Sequence, residues 1–189
     1  MTEWVVQAEK LDKLFDDKQG KTHALKGIDF RAEKGKMTAL IGPDGAGKTT
    51  TMWLICGLMD PTGGSLQVLG LDSVAGAEEI QSRISYMPQK FGLYEDLTVM
   101  ENLNLYADLR SVTGEARKQT FARLLEFTSL GPFTGRLAGK LSGGMKQKLG
   151  LAQAIMENQD ILVLDEPFNA LDYQTYEEMK QMLLELEKN

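Results

Sequence analysis

Apolar residues in the first half of the chain occur in short runs separated by glycine-rich or polar turns, a pattern typical of β-strands. Residues 4–8 and 25–32 form two such runs around a polar turn at residues 16–20 and predict antiparallel strands. Residues 37–41 are apolar and bounded by glycines, which predicts a buried strand. Further runs predict a helix over residues 50–58 and strands over residues 65–69 and 84–87.

The spacing of apolar residues becomes helical from residue 97. Thr98 and Glu101 have the spacing of a capping box and predict the start of a helix. A second helix over residues 113–128 follows without an intervening strand, which predicts a small helical subdomain over residues 91–140. The remaining patterns predict a helix starting at residues 141–144, a strand buried on both faces at residues 161–164, and a last helix over residues 173–188 capped by Asp172.

Composition narrows the class of protein. A chain of 189 residues with 42% hydrophobic residues suits one domain, with room for a subdomain. The net charge of −6 disfavours binding to nucleic acid or to anionic membranes. The single cysteine, Cys56, excludes an internal disulfide and is expected to be a buried thiol. No signal peptide or membrane-spanning stretch is visible, which leads us to expect a cytoplasmic domain.

The first candidate for chemistry is the glycine-rich stretch between the predicted strand at residues 37–41 and the helix after it. Glycines let several backbone N–H groups point at one phosphate, and the helix start adds positive potential. Lys48 supplies a charge for the β- and γ-phosphates, and Thr49 supplies a hydroxyl for Mg²⁺. The alternative is a glycine-rich turn without a ligand. The stretch consists of Gly42, Pro43, Asp44, Gly45, Ala46, Gly47, Lys48, Thr49 and Thr50.

The second candidate is the pair of carboxylates Asp165 and Glu166 at the end of the strand predicted at residues 161–164. Adjacent buried carboxylates are costly unless a cation faces them. Beside a phosphate-binding loop, Asp165 is placed to hold Mg²⁺ through its waters, and Glu166 to orient and deprotonate an attacking water. The alternative is a solvated strand end.

Weaker signals have ordinary alternatives. Gln89 follows a predicted strand, where ligand contacts occur, but a surface position is the commoner fate of a glutamine. Ser142, Gly143 and Gly144 leave backbone N–H groups open at a helix start, yet an ordinary cap explains them equally well. Phe15 is either a core residue or a surface on which a nucleotide base stacks.

Taken together, these motifs resemble the ATPases of ATP-binding cassette (ABC) transporters in order and spacing. Asp44, Met145 and residues 86–94 look most like bacterial multidrug or ABC-2-type exporters. The resemblance implies an α/β fold: a P-loop NTPase with a RecA-like parallel core sheet, an N-terminal antiparallel β layer and an inserted α-helical subdomain. Residues 1–189 would form one domain, with residues 1–90 and 141–189 as the nucleotide-binding core.

The resemblance also implies roles for single residues. Phe15 would stack on adenine, Asp165 would assist Mg²⁺, and Glu166 would be the general base, with Lys48 on the phosphates. Gln89 would contact Mg²⁺ and the attacking water. Ser142, Gly143 and Gly144 would bind the γ-phosphate of ATP held by a second protomer.

The implied function is ATP hydrolysis driving export, with ATP and Mg²⁺ as cofactors. The implied partners are a second ATPase protomer, identical or different, and transmembrane permease subunits that hold the chain at the cytoplasmic face of the membrane. The alternatives are a cassette that binds but does not hydrolyse ATP, and a soluble cassette without a transport role.

Two features depart from the family pattern. Phe168 stands where a small hydroxyl residue is usual, and Ala170 replaces the commoner glycine. The family's switch histidine, on a strand beyond the last helix, is not in the sequence, so we expect C-terminal strands to be missing, as in a truncated or chimeric chain. Weak turnover or none is the expectation for the isolated chain.

Overall fold

The computed structural model of the protein describes residues 2–17, 20–90, 92–157 and 159–188. The chain divides into two compact units, Met1–Ile84 and Ser85–Asn189. The tip of the turn predicted at residues 16–20 and the first residue of the predicted helical subdomain, residue 91, lie outside the described residues.

A four-stranded sheet organises the first unit, with the strand order β2-β1-β3-β4 and antiparallel pairing throughout. This confirms the predicted antiparallel β layer. Its first two strands are longer than predicted because the hairpin pairing continues as far as Asp17 and Gly20. The strands are β1 (Trp4–Asp17), β2 (Gly20–Glu33), β3 (Gly63–Val68) and β4 (Leu71–Asp72).

Two helices complete the first unit. The helix predicted over residues 50–58 is present as α1 (Lys48–Ile55), which begins inside the glycine-rich stretch, ends three residues earlier than predicted, and buries Leu54 and Ile55. Helix α2 (Ala77–Arg83) was not predicted. It buries one side chain, Ile80, among polar residues, so it has too few apolar positions for a periodic pattern to be visible in the sequence.

The prediction of a buried strand at residues 37–41 is wrong. This segment has no regular secondary structure, and the exposed fractions are 52% for Met37 and 95% for Ile41. An apolar run becomes a strand only when neighbouring strands satisfy its backbone groups and cover its side chains. Among the described residues of this unit, the sheet consists of β1 to β4 and offers this run no pairing partner.

The second unit is mainly helical. Its first helix begins with the predicted capping box, in which Glu101 N–H donates to Thr98 Oγ1 and the Glu101 carboxylate accepts from Thr98 N–H. The elements are β5 (Ile84–Met87), α3 (Val99–Leu109), α4 (Gly114–Thr128), 3₁₀ turns at Gly131–Phe133 and Ala138–Lys140, α5 (Gly143–Ala154), β6 (Ile161–Leu164) and α6 (Tyr173–Lys188).

Strands β5 and β6 pair in a two-stranded sheet. Asp165 N–H donates to Met87 C=O at 2.9 Å, so the C-terminal ends of the two strands lie side by side, as in a parallel pair. The prediction that β6 is buried on both faces is wrong, because only Val163 is fully buried and its three neighbours are half-buried.

The largest apolar cluster of the second unit joins α3 and α4 to α5. Val99, Leu103 and Leu124 belong to the predicted helical subdomain, and Leu149 and Ala152 belong to α5. The predicted subdomain limits at residues 91 and 140 stay a prediction. Within the described ranges, no helix is both long and apolar enough to span a bilayer.

Candidate functional site

The glycine-rich stretch forms a tight loop in the first unit. Gly45 and Gly47 have φ angles of +76° and +87°, a left-handed conformation that glycine adopts without steric cost. A methyl group added at Gly47 would lie 2.6 Å from Leu25 Cδ2 and 2.7 Å from Ala24 C=O, inside contact distance. Residue 47 therefore has to be glycine both for its conformation and for its packing against β2.

Lys48 is held inside this loop. Its Nζ donates to the carbonyl oxygens of Gly42 and Pro43, each at 2.9 Å. An ammonium group has three donors, so one donor and the charge are available to a phosphate. The start of α1 has no side-chain cap and no acidic residue in its first turn, which keeps the potential positive there.

The remaining residues of the stretch complete the loop. Ala46 N–H donates to Pro43 C=O at 3.2 Å, which closes a turn around Asp44 and Gly45. Thr49 and Thr50 lie in the first turn of α1. Asp44 is exposed, whereas both threonines are half-buried.

In the second unit, Asp165 directly follows β6 and is 2% exposed. Its backbone is fixed by the hydrogen bond to Met87, and Tyr86 OH donates to its Oδ2 at 3.2 Å. Strand β5 therefore positions Asp165 through both backbone and side chain, which leaves the carboxylate little freedom to rotate.

Glu166 and Gln89, which are 77 residues apart in sequence, are brought together. Gln89 Nε2 donates to Glu166 Oε2 at 2.6 Å. Asn169 Nδ2 donates to the same oxygen at 3.1 Å, and Asn169 N–H donates to the Glu166 carbonyl oxygen at 3.0 Å. Asn169 is not among the site residues predicted from the sequence. The feature that could have identified it is a side-chain amide three residues after the candidate base Glu166, a spacing that a single turn bridges.

The backbone of this turn is unusual. Glu166 has a φ of +50°, and Ala170, which stands where the sequence resemblance leads us to expect a glycine, has a φ of +55°. Both are left-handed conformations that favour glycine. Phe168, the other departure, packs its ring against Tyr176 of α6 with a centroid distance of 5.0 Å.

At the start of α5, Ser142 Oγ accepts a hydrogen bond from Met145 N–H at 3.2 Å and caps the helix. A methyl group added at Gly143 would meet nothing within 4 Å, whereas one at Gly144 would overlap Thr175 of α6. The ordinary cap is therefore present. Binding of an anion at the same helix start stays a prediction.

Phe15 lies on β1 and is half-buried, so it is not a core residue. Lys13 Nζ lies 5.2 Å from the centre of its ring, which gives that ring face a cationic neighbour. Stacking of Phe15 on a nucleotide base stays a prediction.

Comparisons with known proteins place these motifs in a family. The profile described as ABC transporter matches residues 25–169. The chain is 57% identical, over 98% of its length, to the probable multidrug ABC transporter ATP-binding protein YbhF of Escherichia coli K12, of which it covers 32%. It is 36% identical, over 96% of its length, to the Nod factor export ATP-binding protein I of Burkholderia pseudomallei 1710b, of which it covers 58%.

The fold is also that of solved cassettes. The structure of the ATP-binding cassette MJ0796, a dimer in a post-hydrolysis state bound to ADP and Pi, matches with a TM-score of 0.84 and 27% identity. The match covers 97% of this chain and 83% of that chain. It confirms the predicted α/β cassette fold, with an antiparallel N-terminal sheet and a parallel sheet.

Proposed function

Because the chain belongs to the ABC transporter family, we propose that it binds and hydrolyses ATP and thereby drives export by a transporter. Family membership places it among ABC-type ATPases. The chain spans about a third of the first relative and somewhat more than half of the second. Export is proposed because both relatives are named for transport.

The loop of residues 42–50 binds the phosphates of ATP in this proposal. The two carbonyl bonds of Lys48 direct its ammonium group into the loop, which supports a role on the β- and γ-phosphates. The uncapped N-terminus of α1 adds backbone N–H groups, whose partial positive charge also attracts phosphate. Phe15, half-buried beside Lys13, would stack on adenine.

The residues present suit Mg²⁺. Thr49 supplies a hydroxyl, Gln89 an amide oxygen and Asp165 a carboxylate, and hard oxygen ligands are what this ion prefers. No cluster of three His, Cys, Asp or Glu side chains suited to a metal occurs in the described part of the chain. Mg²⁺ in phosphoryl transfer needs no such cluster, because phosphate oxygens and waters complete its shell. When bound, it would neutralise charge on the phosphates.

Glu166 is the proposed general base, and its hydrogen bond from Gln89 is the observation that carries the proposal. Gln89 and Asn169 both donate to Oε2, which holds the carboxylate in one orientation. Neither of these two hydrogen bonds involves Oε1, so that oxygen is the one proposed to accept the proton. The attacking water transfers its proton to the carboxylate as its oxygen bonds to the γ-phosphorus. The bond from that phosphorus to the β,γ-bridging oxygen breaks, and ADP leaves.

A second protomer completes the site in this proposal. Ser142, Gly143 and Gly144 would bind the γ-phosphate of ATP held by the P-loop of the other copy. The open surface at Gly143 supports this, because a phosphate can approach the backbone there. A permease partner would hold the two protomers at the cytoplasmic face of the membrane. Gln89 would link the permease to the ATP site.

Calorimetry with Mg²⁺ and ATP tests the proposal. We expect Lys48→Ala to abolish nucleotide binding and Lys26→Ala, which removes an exposed lysine from β2, to leave it unchanged. Glu166→Gln should bind ATP and block turnover, since an amide keeps the shape and cannot take a proton. A chain that binds no nucleotide would refute the proposal, and binding without turnover in the unmodified chain would favour a binding-only cassette.

A further inference from the structure

The two glycines at the start of α5 differ in their surroundings. A methyl group at Gly143 would meet only solvent, whereas one at Gly144 would overlap Thr175 Cγ2 and lie 2.8 Å from Thr175 Oγ1. Gly144 therefore allows the first turn of α5 to lie directly against the first turn of α6. The close contact is a packing feature that the phosphate-binding role of this motif does not require.

Thr175 is held in place for this contact by Asp172. Asp172 Oδ1 accepts from Thr175 N–H at 2.9 Å, and Asp172 Oδ2 accepts from Thr175 Oγ1 at 2.7 Å. The Thr175 N–H bond is the main reason that the pKa of Asp172 is lowered, because it stabilises the charged carboxylate. With both oxygens engaged, the Thr175 rotamer is fixed, and its methyl faces Gly144.

The same two helices are joined again one turn further on. Lys148 of α5 forms an ion pair with Glu178 of α6, and the Lys148 side chain is only 12% exposed. Gln174 Nε2 donates to the other Glu178 oxygen at 3.0 Å. Two successive layers, Gly144 on Thr175 and Lys148 on Glu178, therefore fix both the distance and the rotation of α5 relative to α6.

We propose that Thr175, oriented by Asp172, is a positioning residue that sets the start of α5 for the γ-phosphate of ATP bound by a second copy. This inference rests on the proposed function. Ser142, Gly143 and Gly144 can bind that phosphate only if the first turn of α5 keeps its place, and Thr175 determines that place.

The test changes the size of the side chains at positions 144 and 175, on the two sides of the contact, in the full chain. All variants also contain Glu166→Gln, so that ATP is not consumed. Gly144→Ala and Thr175→Ala should each weaken ATP-driven dimerisation about tenfold, because small misplacements of a site are costly. The double variant should dimerise better than Gly144→Ala, since it removes the Thr175 Cγ2 and Oγ1 atoms that the added methyl would overlap. It leaves a Cβ–Cβ distance of 3.1 Å, which a shift of a few tenths of an ångström relieves. Glu177→Gln is the control, since Glu177 pairs with Lys180 on its own helix.

Sedimentation with Mg²⁺ and ATP measures dimerisation, and a fluorescent nucleotide measures P-loop affinity in the monomer. Positioning predicts an unchanged monomer affinity, whereas general destabilisation would lower Tm and both readouts together. Single variants that dimerise normally, or a double variant no better than Gly144→Ala, would overturn the inference. If the chain with Glu166→Gln alone binds nucleotide but does not dimerise, the proposed two-copy site fails and this inference with it.

Discussion

Replacing Asn102 with alanine should destabilise the second unit by about 2–3 kcal/mol. Asn102 is fully buried, and its Nδ2 donates to the carbonyl oxygens of Tyr94, Leu97 and Thr98 while its Oδ1 accepts from Tyr94 N–H at 3.0 Å. Each carbonyl keeps another partner: Leu97 N–H, Ala138 N–H and Asn102 N–H respectively. The amide has two N–H hydrogens, which the three carbonyl oxygens share, so the donated contacts count as about two bonds of about 1 kcal/mol each. The loss of the bond from Tyr94 N–H, which water replaces in part, brings the total to this range.

Urea unfolding followed by far-UV circular dichroism measures the effect, since α3 to α6 all lie in the second unit. The midpoint should fall with little change in the denaturant slope. Asn104→Ala is the control on the same helix: Asn104 is half-buried, its Nδ2 donates to Met100 C=O at 2.9 Å, and its Oδ1 accepts from Arg117 Nη2 at 2.7 Å. Arg117 keeps Asp108 and the Asn104 carbonyl oxygen as acceptors, so this loss should cost about 1 kcal/mol. An Asn102→Ala midpoint equal to that of the control would show that the segment at residues 94–98 does not depend on this side chain.

Three further predictions follow from single contacts. Burial raises the pKa of Cys56 to about 12, so a thiol reagent at pH 8 should react about a thousandfold more slowly with the native chain than with the unfolded one; equal rates would contradict this. The Lys148 hydrogen bond lowers the pKa of Glu178, so the folded state gains stability from the charged carboxylate above pH 4.5 and loses it as the pH falls further. The Tm of Lys148→Gln should therefore lie below that of the unmodified chain above pH 4.5, and the difference should shrink at lower pH; a difference independent of pH would contradict this. Gly47→Ala should abolish ATP binding in calorimetry and lower Tm, because the added methyl would overlap Leu25 and Ala24. Gly45→Ala meets open space, so it should lower the free energy of unfolding by only about 1–2 kcal/mol, the cost of a side chain at positive φ; equal effects of the two variants would contradict this.

Features set by short-range chemistry could be predicted from the sequence. The start of α3 follows from Thr98 and Glu101, which cap the helix three residues apart. Strand β5 has the predicted bounds because a short apolar run ends at Pro88. The loop of residues 42–50 could be recognised because the positions of its glycines and its lysine determine its backbone shape locally.

Features that depend on distant partners could not. Residues 37–41 have strand composition, but composition does not supply a neighbouring strand. The hydrogen bond from Gln89 to Glu166 joins residues from two different strand ends, so sequence reasoning could name both residues but not their contact. Asn169 and Thr175 cannot be identified from the sequence for the same reason, because what distinguishes them is the residues that they contact.

Because of the left-handed backbone at Glu166, selection for stability and selection for activity should favour different residues at this position. A side chain in this conformation costs about 1–2 kcal/mol, and glycine would remove that cost while losing the carboxylate. Ranking substitutions at position 166 by melting temperature should therefore favour glycine, and ranking them by catalytic rate should favour the native residue. A library screened only for thermal stability would discard the glutamate that we propose as the general base.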